Sequence, residues 1–186
     1  MQRQLSDLVS QLEHARVRAE RIADTIAEDR WAVRSDSNSW SVGECFAHLN
    51  LTNAAYVPRI RKAIEEARQL PRFSGSYHRD FVGWLFGTLT GPLPSIGKMR
   101  IGKVKTMPPF VPTANNPKQT TIAEFMRLQL ELIAMVRECD GLAIDEVKIV
   151  SPFGEKISYN CFSTFRILPR HEERHLDQAE AVWANG

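Results

Sequence analysis

Apolar residues recur at intervals of three and four along four long stretches of the chain, with charged and polar residues between them. An α-helix turns once in about 3.6 residues, so this spacing places the apolar side chains on one helix face. The stretches cover roughly residues 2–30, 42–69, 121–139 and 160–183. Four amphipathic helices of this length predict an all-α fold, a four-helix bundle.

Local signals predict where these helices begin or change course. Ser41 and Glu44 have the spacing of a capping box, in which each side chain accepts a backbone N–H of the other residue, so the second helix should begin after Ser41. Thr121 and Glu124 have the same spacing and predict the start of the third helix. Pro169 lacks an N–H and disfavours helix at the residue before it, which predicts a kink or restart in the fourth helix.

The connections between the helices are unequal. Residues 71–119, between the second and third helices, hold seven of the ten prolines and predict a long irregular insertion. Its aromatic residues argue against disorder, and we expect a lid with a short helix near 79–89 and then an extended segment covering one end of the domain. A Gly-containing turn at 151–155 predicts a short hairpin before the fourth helix. We expect residues 1–186 to form one domain.

Composition and charge argue against several classes of function. The 24 basic and 22 acidic residues are spread along the chain and give a net charge of +2, without the basic patch of nucleic-acid binders. No apolar run reaches the roughly 18 residues of a membrane span, and the N-terminus lacks a signal-peptide core. Three cysteines without Cys-x-x-Cys spacing argue against disulfides and a zinc ribbon. We expect a cytoplasmic protein that binds neither nucleic acid nor membranes.

Residues that could bind a metal ion lie near the end of the chain, where His171 and His175 are four residues apart. On a helix this spacing lets both imidazoles reach one cation. A catalytic zinc-type site usually has three protein ligands, and the best candidate for the third is His48, on the second helix beside its apolar stripe. Two alternatives stay open: the pair could lie on a solvated face, and His48 could be a hydrogen-bonded core residue.

The segment from His171 to His175 also matches the His-Glu-x-x-His pattern of zinc proteases, with Glu172 as the general base. That pattern needs a third ligand further along the chain. Only 11 residues follow His175, and none is a histidine. The chain also has almost no strand signal, whereas such proteases usually offer a sheet edge to their substrate. The sequence therefore disfavours a protease.

Two stretches of the sequence resemble a known family. The first is Trp40-Ser41-Val42-Gly43-Glu44 followed by His48-Leu49. The second and more specific stretch runs from Ser151-Pro152-Phe153-Gly154 through Phe165 to His171-Glu172-Glu173-Arg174-His175-Leu176-Asp177-Gln178. Together they make the chain similar to the DinB-like superfamily, and the resemblance covers essentially the whole sequence.

The resemblance implies a four-helix bundle in which one histidine of the second helix and two of the fourth bind a divalent metal. In this sequence those positions are His48, His171 and His175. Members of the family are often homodimers, and some are similar to enzymes that use low-molecular-weight thiols such as bacillithiol or mycothiol, whereas others have no known activity. The segment 71–119 departs from the family pattern, so the resemblance does not specify a substrate.

Three functions are compatible with a three-histidine site. In a metal-dependent transferase, the metal would bind a low-molecular-weight thiol and lower its pKa, so that the thiolate attacks an electrophilic small molecule. In a hydrolase, the metal would generate hydroxide and Glu44, one turn before His48, would accept the proton. In a binding or stress-response module, the metal would be structural. We expect zinc or nickel, and a transferase.

Two neighbours of the histidines have weaker roles in this hypothesis. Cys45 precedes His48 by three residues and could be a fourth ligand, although such a residue is more typically a small core side chain. Gln178 follows His175 by one turn and could orient its imidazole, or equally lie at the surface.

Overall fold

Four long helices form the body of the protein in this computed structural model. They are α1 (Arg3–Thr25), α3 (Val42–Ala67), α5 (Lys118–Glu138) and α6 (Cys161–Ala184). The structure describes residues 1–37, 39–92, 95–96, 99–100, 106–114 and 116–184. The predicted all-α fold is confirmed, and none of the described helices combines the length and apolar character that crossing a membrane requires.

The helices pack so that α1 and α3 each contact both α5 and α6. Their apolar faces meet in two clusters of buried side chains. One cluster is built around Tyr56 and Phe165, and the other includes Cys45, Leu49 and Leu176. The second cluster thus contains sequence neighbours of His48 and His175, which places these two predicted ligands inside the bundle.

Short elements connect the long helices. They are α2 (Glu28–Trp31), α4 (Phe81–Thr90), β1 (Ser95–Ile96), β2 (Met99–Arg100), a 3-10 turn (Pro108–Phe110), β3 (Lys148–Val150) and β4 (Ser158–Asn160). Strands β1 and β2 pair antiparallel, as do β3 and β4, in which Ile149 lies opposite Tyr159. The predicted hairpin before the last helix is therefore confirmed, and it feeds directly into α6.

The start of α3 follows the sequence prediction. The Ser41 hydroxyl accepts the Glu44 N–H at 3.2 Å, and the Glu44 carboxylate accepts the Ser41 N–H at 2.9 Å. The second predicted capping box is wrong. Helix α5 begins at Lys118, and the Thr121 N–H donates to the Pro117 carbonyl, so Thr121 already lies in the first turn. Pro117 supplies the extended residue that precedes the helix, one turn earlier than predicted.

Two predictions about helix continuity are also corrected. The first helix ends at Thr25 rather than near 30, because Ala27 adopts an extended backbone before α2 begins. The predicted restart at Pro169 is wrong, because α6 continues through this residue as one helix, whereas the predicted kink stays a prediction. Phe165 and Leu168 are each 1% exposed, and this packing stabilises the helix despite the hydrogen bond that a proline removes.

The insertion at 71–119 is only partly described. Helix α4 confirms the predicted short helix near 79–89, and it packs against α6. Part of the predicted extended segment, at 93–94, 97–98 and 101–105, lies outside the described residues. Beyond it, the 3-10 turn at Pro108–Phe110 contacts α3, which brings this end of the insertion to the predicted site.

Candidate metal centre

The three predicted ligands meet between α3 and α6. His48, His171 and His175 each offer one ring nitrogen, and these three atoms lie within 4.8 Å of one another. The Nε2 atoms of His48 and His171 are 3.3 Å apart. Among the described residues, no other group of three or more histidine, cysteine or acidic side chains could hold a metal ion.

Local structure explains why these side chains converge. The capping box fixes the first residue of α3, and this places His48 on the helix face that packs against α6. Residues four apart lie one above the other on a helix, so His171 and His175 face the same neighbour. All three are buried, with exposed fractions of 3%, 6% and 7%. The alternative that the pair lies on a solvated face is therefore wrong.

A backbone carbonyl sets the proton position on His48. Its Nδ1 lies 2.7 Å from the carbonyl oxygen of Phe110, which can only accept a hydrogen bond. Nδ1 must therefore carry the proton, which leaves a lone pair on Nε2. That lone pair faces His171, so the 3-10 turn at Pro108–Phe110 orients His48 in the way that partners of metal-bound histidines do.

The spacing of the nitrogens fits a metal ion. Two nitrogens bound tetrahedrally to zinc, each at about 2.0 to 2.1 Å, are about 3.3 Å apart. The His48 and His171 Nε2 atoms have this separation. In addition, the Nδ1 atoms of His171 and His175 are buried without a hydrogen-bond partner among the described residues. Unpartnered buried nitrogens are unfavourable, but one ring binds an ion through only one nitrogen, so the fit to a metal ion rests on the Nε2 separation and not on the Nδ1 atoms.

The electrostatic surroundings keep the imidazoles neutral. Burial lowers the pKa of His48 to about 4, and it lowers the pKa values of His171 and His175 well below their ordinary range. The nearby positive charge of Arg174 lowers all three further. Neutral imidazole is the form that binds metal, so the site needs little proton release at neutral pH.

Aromatic side chains surround the histidines. The Trp40 ring lies 4.9 Å from the His48 ring and 5.8 Å from the His175 ring, measured between centroids. Phe153 lies 6.4 Å from His171 and 4.5 Å from Phe110. Sequence analysis missed these contacts. The position of Trp40 beside the capping box and of Phe153 in the hairpin turn are the signals that could have suggested them.

Glu44 has partners of its own. Its carboxylate accepts the Ser41 N–H and two hydrogen bonds from the Arg34 guanidinium. Burial raises the pKa of Glu44, but the hydrogen bonds from Arg34 and Ser41 outweigh it and leave the pKa below its ordinary value. These contacts suit a helix cap paired with an arginine and weaken the case for a general base. The catalytic role of Glu44 stays a prediction.

The two weaker candidates also have defined places. Cys45 is 1% exposed and does not belong to the group of side chains close enough to share a metal. All three cysteines, at 45, 139 and 161, are free, as the sequence predicts. Gln178 is near enough to His175 to raise its pKa against the effect of burial, which favours the orienting role over simple surface exposure.

A second polar cluster lies beside the histidines and was not predicted. Glu172 is fully buried, and its Oε1 atom accepts hydrogen bonds from Asn53 Nδ2 at 2.8 Å and Gln129 Nε2 at 2.6 Å. Burial raises the pKa of Glu172 to about 7, although both hydrogen bonds oppose the change. Glu172 thus binds two amides of the core, which removes the remaining support for the protease pattern.

Comparison with known proteins agrees with the fold and the histidine cluster. No curated protein and no solved structure matches the chain significantly. A sequence model of one family, the DinB superfamily, matches residues 11–179, which include α3, α5, most of α1 and α6, and all three histidines. The match covers most of the chain, and the chain therefore belongs to the DinB superfamily.

Proposed function

We propose that His48, His171 and His175 bind one divalent metal ion, zinc or nickel. The 3.3 Å separation of two Nε2 atoms, between buried rings that remain neutral, is the observation that carries the proposal. Both metals accept imidazole nitrogen, and three protein ligands leave at least one coordination position open.

Elemental analysis tests this proposal directly. After equilibration with zinc or nickel and gel filtration, the purified protein should retain about one ion per chain. The variants His48→Ala and His171→Ala should retain far less, because each removes a ligand. The matched control is His78→Ala, since His78 is an exposed loop histidine. Equal metal content in His171→Ala and His78→Ala would contradict the proposal.

We further propose that the protein is a metal-dependent transferase that uses a low-molecular-weight thiol and a small electrophilic substrate. A metal at this site would lower the pKa of a bound thiol, so that it reacts as the thiolate. The protein itself supplies two further parts. The Phe110 carbonyl holds His48 in one tautomer, and the rings of Trp40 and Phe153 exclude water around the histidines.

A conjugation assay tests the activity. Metal-loaded protein is incubated with bacillithiol or mycothiol and a chromogenic electrophile such as 1-chloro-2,4-dinitrobenzene. The expected result is a rate above the uncatalysed reaction that His48→Ala abolishes and His78→Ala preserves. A rate equal to that of His48→Ala with every thiol tried would remove the transferase proposal and leave the metal-binding proposal intact.

Burial of the histidines favours a second candidate, a binding or stress-response module with a structural metal. With exposed fractions of 3% to 7%, these side chains offer a substrate little direct access. In that case metal removal should lower the melting temperature strongly, and no thiol should raise it. The hydrolase alternative has less support, because the Glu44 carboxylate already binds Ser41 and Arg34.

We also propose that the protein is a homodimer. Helix α4 exposes five large apolar side chains, of which Phe81 at 73%, Leu89 at 54% and Trp84 at 46% are the most exposed, and a second copy could cover them. Light scattering across a hundredfold concentration range should give twice the chain mass. A monomer throughout that range would contradict this part of the proposal without affecting the metal site.

A further inference from the structure

A groove of about 360 Å³ runs between α1 and α6 and is separate from the histidine cluster. Its walls include His14 and Arg18 from α1 and Arg166, Arg170 and Glu173 from α6. Residues 166, 170 and 173 fall on one face of α6, whereas the predicted metal ligands fall on the opposite face. The groove is therefore a distinct feature of the same helix.

Two arginines in the groove lack acidic partners. Arg166 is half-buried, and within the described part of the chain no carboxylate lies at ion-pair distance from it or from Arg170. The Nε of Arg170 donates to the Gly87 carbonyl at 3.2 Å, which holds its guanidinium in place. Burial lowers the pKa of Arg166, and repulsion by Arg79 and Arg170 adds to the effect despite the attraction of Asp7.

The other charges of the groove do not neutralise this pair. Arg18 is itself bound by the carboxylates of Asp177 and Glu180, at 2.6 and 2.7 Å, so those two acids are already occupied. Glu173 is the one acidic side chain among the described residues lining the groove, and it is exposed to solvent. The groove thus combines a half-buried guanidinium, a second guanidinium nearby and an excess of positive charge.

We propose that this groove binds a small organic phosphate, with Arg166 and Arg170 donating to its phosphoryl oxygens. A guanidinium presents parallel N–H groups that match phosphate geometry, and two of them suit a dianion. Ala15 and Leu176 line the same groove and would contact the organic part of the ligand. The volume lies within the range of about 300 to 1,000 Å³ that is usual for small-molecule sites.

Calorimetric titration with phenyl phosphate in low-salt buffer tests the proposal. We expect one site per chain, and affinity at least tenfold lower in Arg166→Gln and in Arg170→Gln, since each loses a charge-assisted hydrogen bond worth about 1.5 kcal/mol or more. The matched control is Arg59→Gln, an exposed arginine of α3 that should bind like wild type. Arg166→Lys should keep part of the affinity, because it keeps the charge.

Three further measurements make the result decisive. Binding should persist in His171→Ala, which separates the groove from the metal centre, and phenol should not bind. Inorganic phosphate should bind more weakly than phenyl phosphate, because it cannot use the apolar wall. The proposal is overturned if phenyl phosphate does not bind, or if it binds Arg166→Gln as tightly as wild type while circular dichroism shows both folded. A dimer that Arg166→Gln dissociates, without phosphate binding, would instead identify a protein interface.

Discussion

Two successive residues of α6, His171 and Glu172, belong to two buried polar clusters of opposite character. His171 faces His48 and His175, three bases whose ring nitrogens converge. Glu172 faces the amides of Asn53 and Gln129, which both donate to one carboxylate oxygen. The two clusters are similarly buried, and both contain unpartnered atoms, since Glu172 Oε2 and the amide oxygens of Asn53 and Gln129 have no hydrogen-bond partner among the described residues.

The two clusters differ in their chemistry, because three neutral bases can share a cation, whereas a carboxylate held by two amides is a hydrogen-bonded structural group. Amide donors partly compensate the buried carboxylate of Glu172 from within the protein. Among the histidines, His48 donates to the Phe110 carbonyl and His175 contacts Gln178, but the Nδ1 atoms of His171 and His175 have no hydrogen-bond partner among the described residues. The lone pair of His48 Nε2 faces His171 Nε2 at 3.3 Å, a position that accepts either a proton carried by His171 or a shared cation.

The largest expected effect concerns removal of metal. A chelator should lower the melting temperature of the wild-type protein and of Glu172→Gln, because a tightly bound ion present at about 1,000 times its Kd contributes about 4 kcal/mol. The same chelator should leave His171→Ala unchanged, since that variant lacks a ligand. Differential scanning calorimetry measures all three. A chelator effect of equal size in His171→Ala would show that metal stabilises the protein elsewhere.

The next effect distinguishes deletion of Glu172 from its neutral replacement. Glu172→Ala should reduce the free energy of unfolding by about 3 kcal/mol at neutral pH, because it opens a cavity and leaves two buried amides without their acceptor. Glu172→Gln keeps the shape of the side chain and removes its charge. This variant should reduce the free energy of unfolding far less than Glu172→Ala does. Urea denaturation compares them, and equal losses would show that the hydrogen bonds to Asn53 and Gln129 contribute little.

The third effect is a pH dependence of opposite sign in the two clusters. The pKa of Glu172 is raised from 4.5 to about 7 on folding, so its contribution to stability is full below pH 4.5 and is lost as pH rises to 7. The histidine pKa values are lowered from 6.5, so stability is lost as pH falls below 6.5.

Metal-free wild type and Glu172→Gln isolate the carboxylate, because the histidine contribution cancels between them. The stability of Glu172→Gln relative to wild type should rise with pH between 4.5 and 7, by at most about 3 kcal/mol. Urea denaturation at half-unit pH intervals measures this difference. A difference that does not change with pH would mean that Glu172 titrates near its ordinary pKa in the folded protein.

The smallest expected effect tests whether Gln178 orients the His175 imidazole. Gln178→Ala should weaken metal binding about tenfold, since partners that orient a metal-bound histidine contribute on this scale. Competition with a chromophoric chelator measures the affinity. The exposed glutamine Gln119, at the start of α5, provides the control variant Gln119→Ala. If the two variants bind metal equally well, Gln178 does not orient His175.

Sequence periodicity and spacing were sufficient for the body of the fold and for the pairing of His171 with His175, whereas His48 was placed by the need for a third ligand and by the family resemblance. The pair at 171 and 175 lies on one helix, so helix geometry alone brings its rings together. The start of α5 was misplaced because Thr121 and Glu124 have capping-box spacing inside a helix that Pro117 already begins. Local spacing does not tell which of two possible starts the chain adopts.

The parts that could not be predicted depend on contacts between distant residues. Glu172 has the same polar character as its neighbour Glu173, yet it is buried against Asn53 and Gln129 from two other helices. The partner of His48 is a backbone carbonyl in an irregular segment. Every residue has a carbonyl, so no residue type marks that position in the sequence.

The contact between His48 and residue 110 uses the main chain, and this has a consequence for variation at that position. Any amino acid at 110 that permits the 3-10 turn would still present the same oxygen to the imidazole. The identity of the side chain there can thus change the character of the aromatic surroundings while the orientation of the ligand is retained. A substitution at residue 110 should therefore change the packing against Phe153 without releasing the His48 imidazole.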